Sequence, residues 1–422
     1  MVDSVCPSMT HAEVLLAGTP PFRRGKSGGL HAGVPYPGKS KGGRLSGNHR
    51  KIHLLSGNNP MSESVEATAH FPACYVEFPE GYEFRRAAFY LAAEEYIAKT
   101  LPEGNYLFTW RLRPTVVMGR NQVAHQEIDL DFCRNHGIDV IRRKSGGGAI
   151  FADERNIMVS LVTGAGPVES LFEEYSKKVS DCLCGLGAPT RVSGRNDIIL
   201  AGRDGMEGGK VCGNAFYHLS NRNIVHGTML FDTNPELMTG ALHPDVSKLK
   251  SAGVKSVRSR VALLKDYLNF GVERLQEALR ERLTNITLEL SEADVRAIEE
   301  IEAGYYKPEY LLGSSARAEI IRGGRIRGCG KLEFHFFLRG TLIRQVEIRG
   351  DYFEVSDAAT AFAEAFTDVT FTPEALEQAV MKSHPERSIR GLDAHGLLHL
   401  LAQPLHESEA PCGTSGNDVP CS

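Results

Sequence analysis

No run of about 18 uninterrupted apolar residues occurs anywhere in the 422-residue chain, which argues against a membrane-spanning helix. Cysteine is sparse: the nine present form no CxxC pair and no Cys/His spacing of the zinc-binding kind. That excludes a disulfide-dense secreted framework and points to free thiols in a reducing compartment. Strong net charge is missing as well. The formal charge of −4 argues against a surface built to hold nucleic acid. There are no internal repeats and no apolar leader of the secretory kind. What is present is an ordinary composition, 42 % apolar and 24 % charged, sufficient to bury a sizeable core. At roughly 150 residues per domain, the length suits two or three domains.

The charge is unevenly spread. Residues 1–60 carry eight Lys/Arg and two Asp/Glu, so the rest of the chain stands at −10. This first stretch is rich in Gly, Pro, Ser and His and cannot bury enough surface to offset its ordering entropy. It reads as disordered, either as a transit peptide or as sequence upstream of a translation start at Met61. Within it, Gly33-Val-Pro-Tyr-Pro-Gly38-Lys39-Ser40 fits the GxxxxGK[ST] phosphate-loop pattern letter for letter. No apolar strand precedes it and two prolines interrupt it, so the pattern lacks the strand–loop–helix setting that makes it work.

Apolar periodicity begins near Phe71. It predicts a helix over 84–101 with Phe84, Ala88, Leu91, Ala92 and Tyr96 on one side. Strands are expected at Tyr106–Trp110, Thr115–Met118, Ile138–Arg142, Asn156–Thr163, Asp197–Ala201, Lys210–His218 and Ile224–Phe231. Helices are expected over 169–186, closed by Gly185 and Gly187, and over 270–284. Ser291-Glu-Ala-Asp294 then starts a helix over 291–303 with a capping box. Strands at 331–338 and 341–349, joined at Arg339-Gly340, and helices near 356–367, 373–382 and 393–402 complete a second unit. The expected division is 1–70 a disordered basic extension, 71–290 the large unit, 291–403 the small unit and 404–422 a loose tail.

Four segments carry chemistry. In Arg142-Arg143-Lys144-Ser145-Gly146-Gly147-Gly148-Ala149-Ile150-Phe151, the three glycines give exposed amides able to form an anion-binding nest. The basic residues before them offer donors to phosphate or carboxylate. A flexible solvated turn is the competing reading. In Ser193-Gly194-Arg195-Asn196-Asp197, the carboxylate of Asp197 suits magnesium, but taken alone an Asn/Asp turn without chemistry is the plainer reading. Lys210, between two glycines and an apolar strand, is a compact charge suited to a shifting phosphate oxygen. Cys212, two residues on, would share its face in a regular strand, and a small buried apolar residue is the plainer reading. His226, before Gly227 in a strand start, reads as a base, a metal ligand or a structural histidine.

Taken in order, TVVMGRNQ at 115–122, RRKSGGGAIF at 142–151, SGRNDI at 193–198, GGKVCGNAF at 208–216, HGTMLF at 226–231 and KSVRSRV at 255–261 resemble the lipoate–protein ligase A family. The match covers about residues 75–285, and the second unit resembles the family's small C-terminal domain. The resemblance implies a mixed α/β catalytic domain with mixed sheets, shared with biotin ligases, plus a small α/β accessory domain. It implies a two-step ligase. Lipoate's carboxylate attacks ATP to give lipoyl-AMP, and a lysine of an apo lipoyl domain on E2 subunits or H protein then attacks the adenylate. Carried over by motif, Arg143, Gly148, Ala149, Ile150, Phe151 and Lys210 would bind ATP. Gly146, Gly147, Lys210 and His226 would bind lipoate, Lys210 would be catalytic, and Asp197 would position Mg2+.

Two positions depart from the pattern: Cys212 replaces a usual serine, and Val225 a frequent second histidine. Cys212 raises a rival, an ATP-independent octanoyl or lipoyl transferase working through a cysteine thioester. In that group the cysteine lies before the lysine, where this chain reads Thr190-Arg191-Val192-Ser193. The Gly-Arg-Gly-Arg run of biotin ligases is also absent. A silent ligand binder is the third reading. The expected setting is a monomer acting in the cytoplasm, or in mitochondria or plastids if residues 1–60 are a transit peptide, with no nucleic-acid or membrane partner.

Overall fold

The computed structural model describes residues 51–54, 73–82, 84–193, 196–201, 208–219, 221–243, 261–312 and 318–403. The disorder expected for residues 1–50, the phosphate-loop look-alike, the tail over 404–422, and KSVRSRV apart from Val261 lie outside the described residues.

A nine-stranded mixed sheet forms the centre. Its spatial order is β1 (Lys51–Leu54), β12 (Thr284–Glu289), β2 (Ala73–Glu77), β3 (Asn105–Trp110), β7 (Ile157–Thr163), β11 (Arg222–Met229), β10 (Lys210–Leu219), β9 (Asp197–Leu200) and β8 (Thr190–Ser193). The β12–β2 and β2–β3 pairs are parallel and the other pairs antiparallel. One face packs on two helices, α2 (Val168–Leu186) and α3 (Val272–Leu283), through a core that includes Phe172, Val179, Leu275 and Leu279. The other face packs on α1 (Ala87–Thr100), with Phe89, Ile97, Phe108 and Trp110 in its core. A second sheet, in the order β5 (Asp139–Arg142), β4 (Thr115–Met118), β6 (Ile150–Ala152), holds the basic glycine-rich segment between β5 and β6.

Several expectations shift here. Helix α1 begins at Ala87, and Phe84 stays outside it with φ +58° and 48 % of its surface exposed. The helix is also buried on every side from Ala87 to Ala98, rather than along one stripe. The reason is α4 (Glu292–Glu302), which covers its far face with Val295 and Ile298. The capping box at its start forms as expected: Ser291 Oγ accepts from Asp294 N at 3.3 Å, and Asp294 Oδ2 accepts from Ser291 N at 2.8 Å. Val295 and Ile298 of α4, Tyr305 and, partly buried, Tyr310 of α5 (Pro308–Leu312) thus share the core of α1. Strand β1 likewise falls in a stretch expected to be disordered, and it pairs with β12.

The small unit is a three-stranded antiparallel sheet, β13 (Ile320–Ile326), β14 (Gly330–Arg339) and β15 (Leu342–Gly350). It is covered by α6 (Ala358–Phe366), α7 (Pro373–Ser383) and α8 (Ala394–Ala402). Phe334, Phe336, Phe362 and Phe366 fill its core. No helix among the described residues is long and apolar enough to cross a membrane.

Candidate active site

Strands β4 and β5 run parallel, so the turns that leave them lie side by side. Arg120 N donates to Ser145 O at 2.9 Å, and a Cβ on Gly119 would strike Gly147 O. The basic residues expected to greet an anion are spent inside this structure. Arg142 Nη1 donates to the carbonyls of Gly119, Arg120 and Gln122 at 2.7–3.0 Å, and its Nε to those of Tyr310 and Leu311. Arg143 donates from Nη1 to Val117 O, from Nη2 to Gly146 O and Gly148 O, and from Nε to Ser145 Oγ, all at 2.8–2.9 Å. Burial lowers the Arg143 pKa to about 10, so it remains cationic at neutral pH. Lys144 Nζ sits 2.6 Å from Glu95 Oε1, a carboxylate 1 % exposed. Burial opposes ionisation of Glu95, but hydrogen bonds from Lys144 and Tyr305 outweigh it and hold its pKa below the ordinary value.

Beside this loop lies a cavity of about 190 Å³. Its apolar wall includes Leu91, Trp110, Val117, Met158, Leu230 and Phe353. Its polar side gathers eight of the expected residues: Arg143, Gly148, Ala149, Ile150, Phe151, Asp197, Lys210 and His226. An apolar pocket with a few convergent polar groups is the usual form of a small-molecule site. Lys210 Nζ lies 2.7 Å from Asp197 Oδ1, with both side chains about one-fifth exposed. A β-bulge between Lys210 and Cys212 sets this lysine apart from its strand neighbours. Gly213 leaves room for the ammonium, since a Cβ there would collide with Lys210 Nζ. Asn196 and Asn214 clamp the turn before Asp197: Asn214 N donates to Asn196 O at 2.9 Å, and Asn196 Nδ2 to Asn214 O at 2.8 Å.

Cys212 belongs to the apolar core on the α2 and α3 side of the sheet, where it is 1 % exposed. Its Sγ donates to Asn214 Oδ1 at 3.3 Å, and burial pushes its pKa up to about 12. Lys210 lowers and Asp197 raises the thiol's pKa, but burial is the larger effect. His226 is buried; its Nδ1 lies 2.9 Å and 3.1 Å from the carboxylate oxygens of Glu94, and its Nε2 lies 2.8 Å from Ser145 Oγ.

Gly146 and Gly147 do not line the cavity among the described residues. They face the small unit instead. Gly147 N donates to Tyr352 O at 2.9 Å, and a Cβ on Gly146 would strike that same carbonyl. Gly147 has φ +86°, and a Cβ on it would meet the Phe353 ring at 2.8 Å. Phe353 stacks on Phe216 at 5.6 Å between centroids and closes one wall of the cavity. Gly350 N donates to Asn121 O at 2.7 Å, and Arg120 Nη1 pairs with Glu354 Oε2 at 3.2 Å.

Sequence reasoning did not single out Glu94, Ser145, Asn196, Asn214 or Phe353. One signal was readable: Glu94 and Glu95 form a carboxylate pair inside the apolar stretch from Ala87 to Ala98. Phe353 comes from a distant part of the chain, and nothing local marks it. Among the described residues no group of three or more His, Cys, Asp or Glu could hold a metal. Asp197 supplies a single carboxylate. That suffices only for a magnesium ion that arrives already bound to a triphosphate.

The nine-stranded mixed sheet, its flanking helices and the small α/β unit form the biotin/lipoate ligase fold. A crystal structure of P. falciparum LipL1 in complex with lipoate matches with a TM-score of 0.61 at 16 % identity, covering 78 % of this chain and 97 % of that one. The family model for the lipoyl protein ligase A/B catalytic domain matches residues 86–284, and that for the bacterial lipoate protein ligase C-terminus matches residues 315–401. Lipoate–protein ligase 1 of Staphylococcus aureus is 29 % identical over 321 residues, 74 % of this chain and 95 % of that protein. Lipoate-protein ligase LplJ of Bacillus subtilis is 32 % identical over 281 residues, 64 % of this chain and 83 % of that protein. The chain belongs to the lipoate–protein ligase family.

Proposed function

We propose that this ligase joins lipoate to a lysine of an apo lipoyl domain at the expense of ATP. The supporting observation is the Lys210–Asp197 pair at one side of an apolar cavity whose wall also carries Gly148–Phe151. A carboxylate and an ammonium form a salt, not an amide, so the acid must first be activated. In the first step a lipoate oxygen attacks the α-phosphorus of ATP. The bond to the β-phosphate oxygen breaks, and pyrophosphate leaves with its electron pair. Lys210 serves as the cation where negative charge collects on the α-phosphate, and it stays close to the acyl carbonyl. In the second step the neutral ε-amine of the acceptor lysine attacks that carbonyl. The C–O bond to AMP breaks, the amide forms, and the amine proton is lost to solvent or a base.

On this reading the Gly148–Phe151 strand start faces ATP, and the apolar wall from Leu91 to Phe353 takes the lipoyl chain. Arg143 acts mainly by holding the loop, because four of its five N–H groups are already engaged. His226 stands beside the acyl chain, and Gly146 and Gly147 act through the small unit. Asp197 orients Lys210 and receives the magnesium of the nucleotide. Lipoyl domains of E2 subunits and H protein are the acceptors, a monomer in the cytoplasm is the setting, and neither a nucleic acid nor a membrane takes part. A buried Cys212 thiol with a pKa of about 12 disfavours the thioester transferase.

The test is incubation with lipoate, magnesium and an apo lipoyl domain, with and without ATP. Modification of the acceptor lysine only with ATP, and its loss in Lys210→Ala with the fold retained, is the expected result. Acceptor modification from an acyl-carrier donor without ATP would overturn it.

A further inference from the structure

We propose that Glu94 is a positioning residue for the nucleotide side of the site, acting through His226 and Ser145 on Arg143; this rests on the ligase reading above. Glu94 is fully buried in α1 and is not on the cavity wall among the described residues. Its carboxylate faces His226 Nδ1, accepts from Ser160 Oγ at 2.6 Å, and accepts more weakly from Tyr217 Oη at 3.4 Å. Ser160 Oγ in turn accepts from Trp110 Nε1 at 3.0 Å, which fixes its hydroxyl toward Glu94.

A carboxylate at this distance keeps the imidazole proton on Nδ1 and leaves Nε2 an acceptor. The Ser145 hydroxyl then donates to Nε2, while its lone pair accepts the Arg143 Nε–H at 2.9 Å. Donation runs one way, from Arg143 through Ser145 and His226 to Glu94. The opposite tautomer would turn a bare Nδ1 lone pair toward a carboxylate. It would also leave the Ser145 hydroxyl with two donors and no acceptor for its own hydrogen. Two further Arg143 hydrogens hold Gly146 O and Gly148 O and a third holds Val117 O, so the orientation this chain gives Arg143 sets the glycine loop. Glu94 thereby shapes the loop from the helix behind it. A residue that merely backed the acyl chamber would affect the acid substrate alone.

Glu94→Gln is nearly isosteric, and its amide can donate to Nδ1, which permits the opposite tautomer. The expected result is a KM for ATP raised about tenfold and by more than the KM for lipoate, with kcat changed by less than about threefold. Ser145→Ala should raise the same parameter. Nitrogen-15 NMR of the wild-type protein should show His226 protonated on Nδ1 and bare on Nε2, with that pattern lost in Glu94→Gln. An unchanged KM for ATP in both variants, a rise confined to the KM for lipoate, or a proton on Nε2 in the wild type would each overturn the proposal. If Glu94→Gln does not fold, Ser145→Ala and the wild-type spectrum decide. A wild-type protein without ATP-dependent ligation would defeat the ligase reading instead, and the spectrum would still decide the relay.

Discussion

At the scale of single residues, cations whose donors are spent inside the protein differ from Lys210, which meets a carboxylate at the cavity. Arg142, Arg143 and Lys144 hold carbonyls, a hydroxyl and a buried carboxylate, whereas Lys210 is paired with Asp197 on the cavity wall. Cys212 tests the thiol assignment. Burial pushes its pKa up to about 12, so the thiol stays protonated at pH 8. Alkylation of the folded protein at that pH, read by mass spectrometry, should modify the exposed Cys184 and spare Cys212. Cys212→Ser should keep ATP-dependent ligation. Gly147→Ala should lower stability more than Gly137→Ala. Both need a left-handed backbone, at φ +86° and +64°, but open space surrounds Gly137 while Phe353 crowds Gly147. Thermal unfolding of the two variants should show about 1–3 kcal/mol for Gly147→Ala.

At the scale of elements, the informative contact is α4 on α1. Ile298 is fully buried against the helix that bears Glu94. Ile298→Ala should therefore cost about 2–5 kcal/mol in denaturant unfolding of the large unit. The long periodic elements were legible in the sequence: Thr115–Met118 matches to the residue, and α2 and α3 to within two. The capping box at Ser291 was readable too, because its signal is local. Strands β1, β2, β6, β8, β12 and β13 were not foreseen. Thr284 is both the C-cap of α3 and the first residue of β12, so no turn residue separates helix from strand. Thr190–Ser193 has one apolar residue in four, and β6 hides behind the glycines. The motifs bring eight of the expected residues to one cavity. They could not reveal that the arginines are internally engaged: Arg142 finds its partners at 119–122 and 310–311, and Arg143 turns back on Ser145, Gly146 and Gly148 of its own loop as well as on Val117.

At the scale of the whole molecule, the large unit does not end where its catalytic motifs do. A chain stopped after residue 290 would uncover Phe89 and Ile97 on α1 and remove the Tyr310 and Leu311 carbonyls that hold Arg142. It should aggregate on expression, whereas one stopped after Leu312 should stay monodisperse in size-exclusion chromatography. The docking of the small unit has a consequence of its own. Among the described residues, it meets the glycine loop through Gly147 N–Tyr352 O and the Phe353 ring, and the neighbouring turn through Gly350 N–Asn121 O and the contacts of Glu354 with Arg120 and Asn121. If the gene is divided after residue 312, the C-terminal piece becomes a diffusible ligand of the N-terminal one. The wall that Phe353 supplies to the cavity would then be present in proportion to concentration, and the shape of the acyl chamber would follow mass action rather than covalent connection.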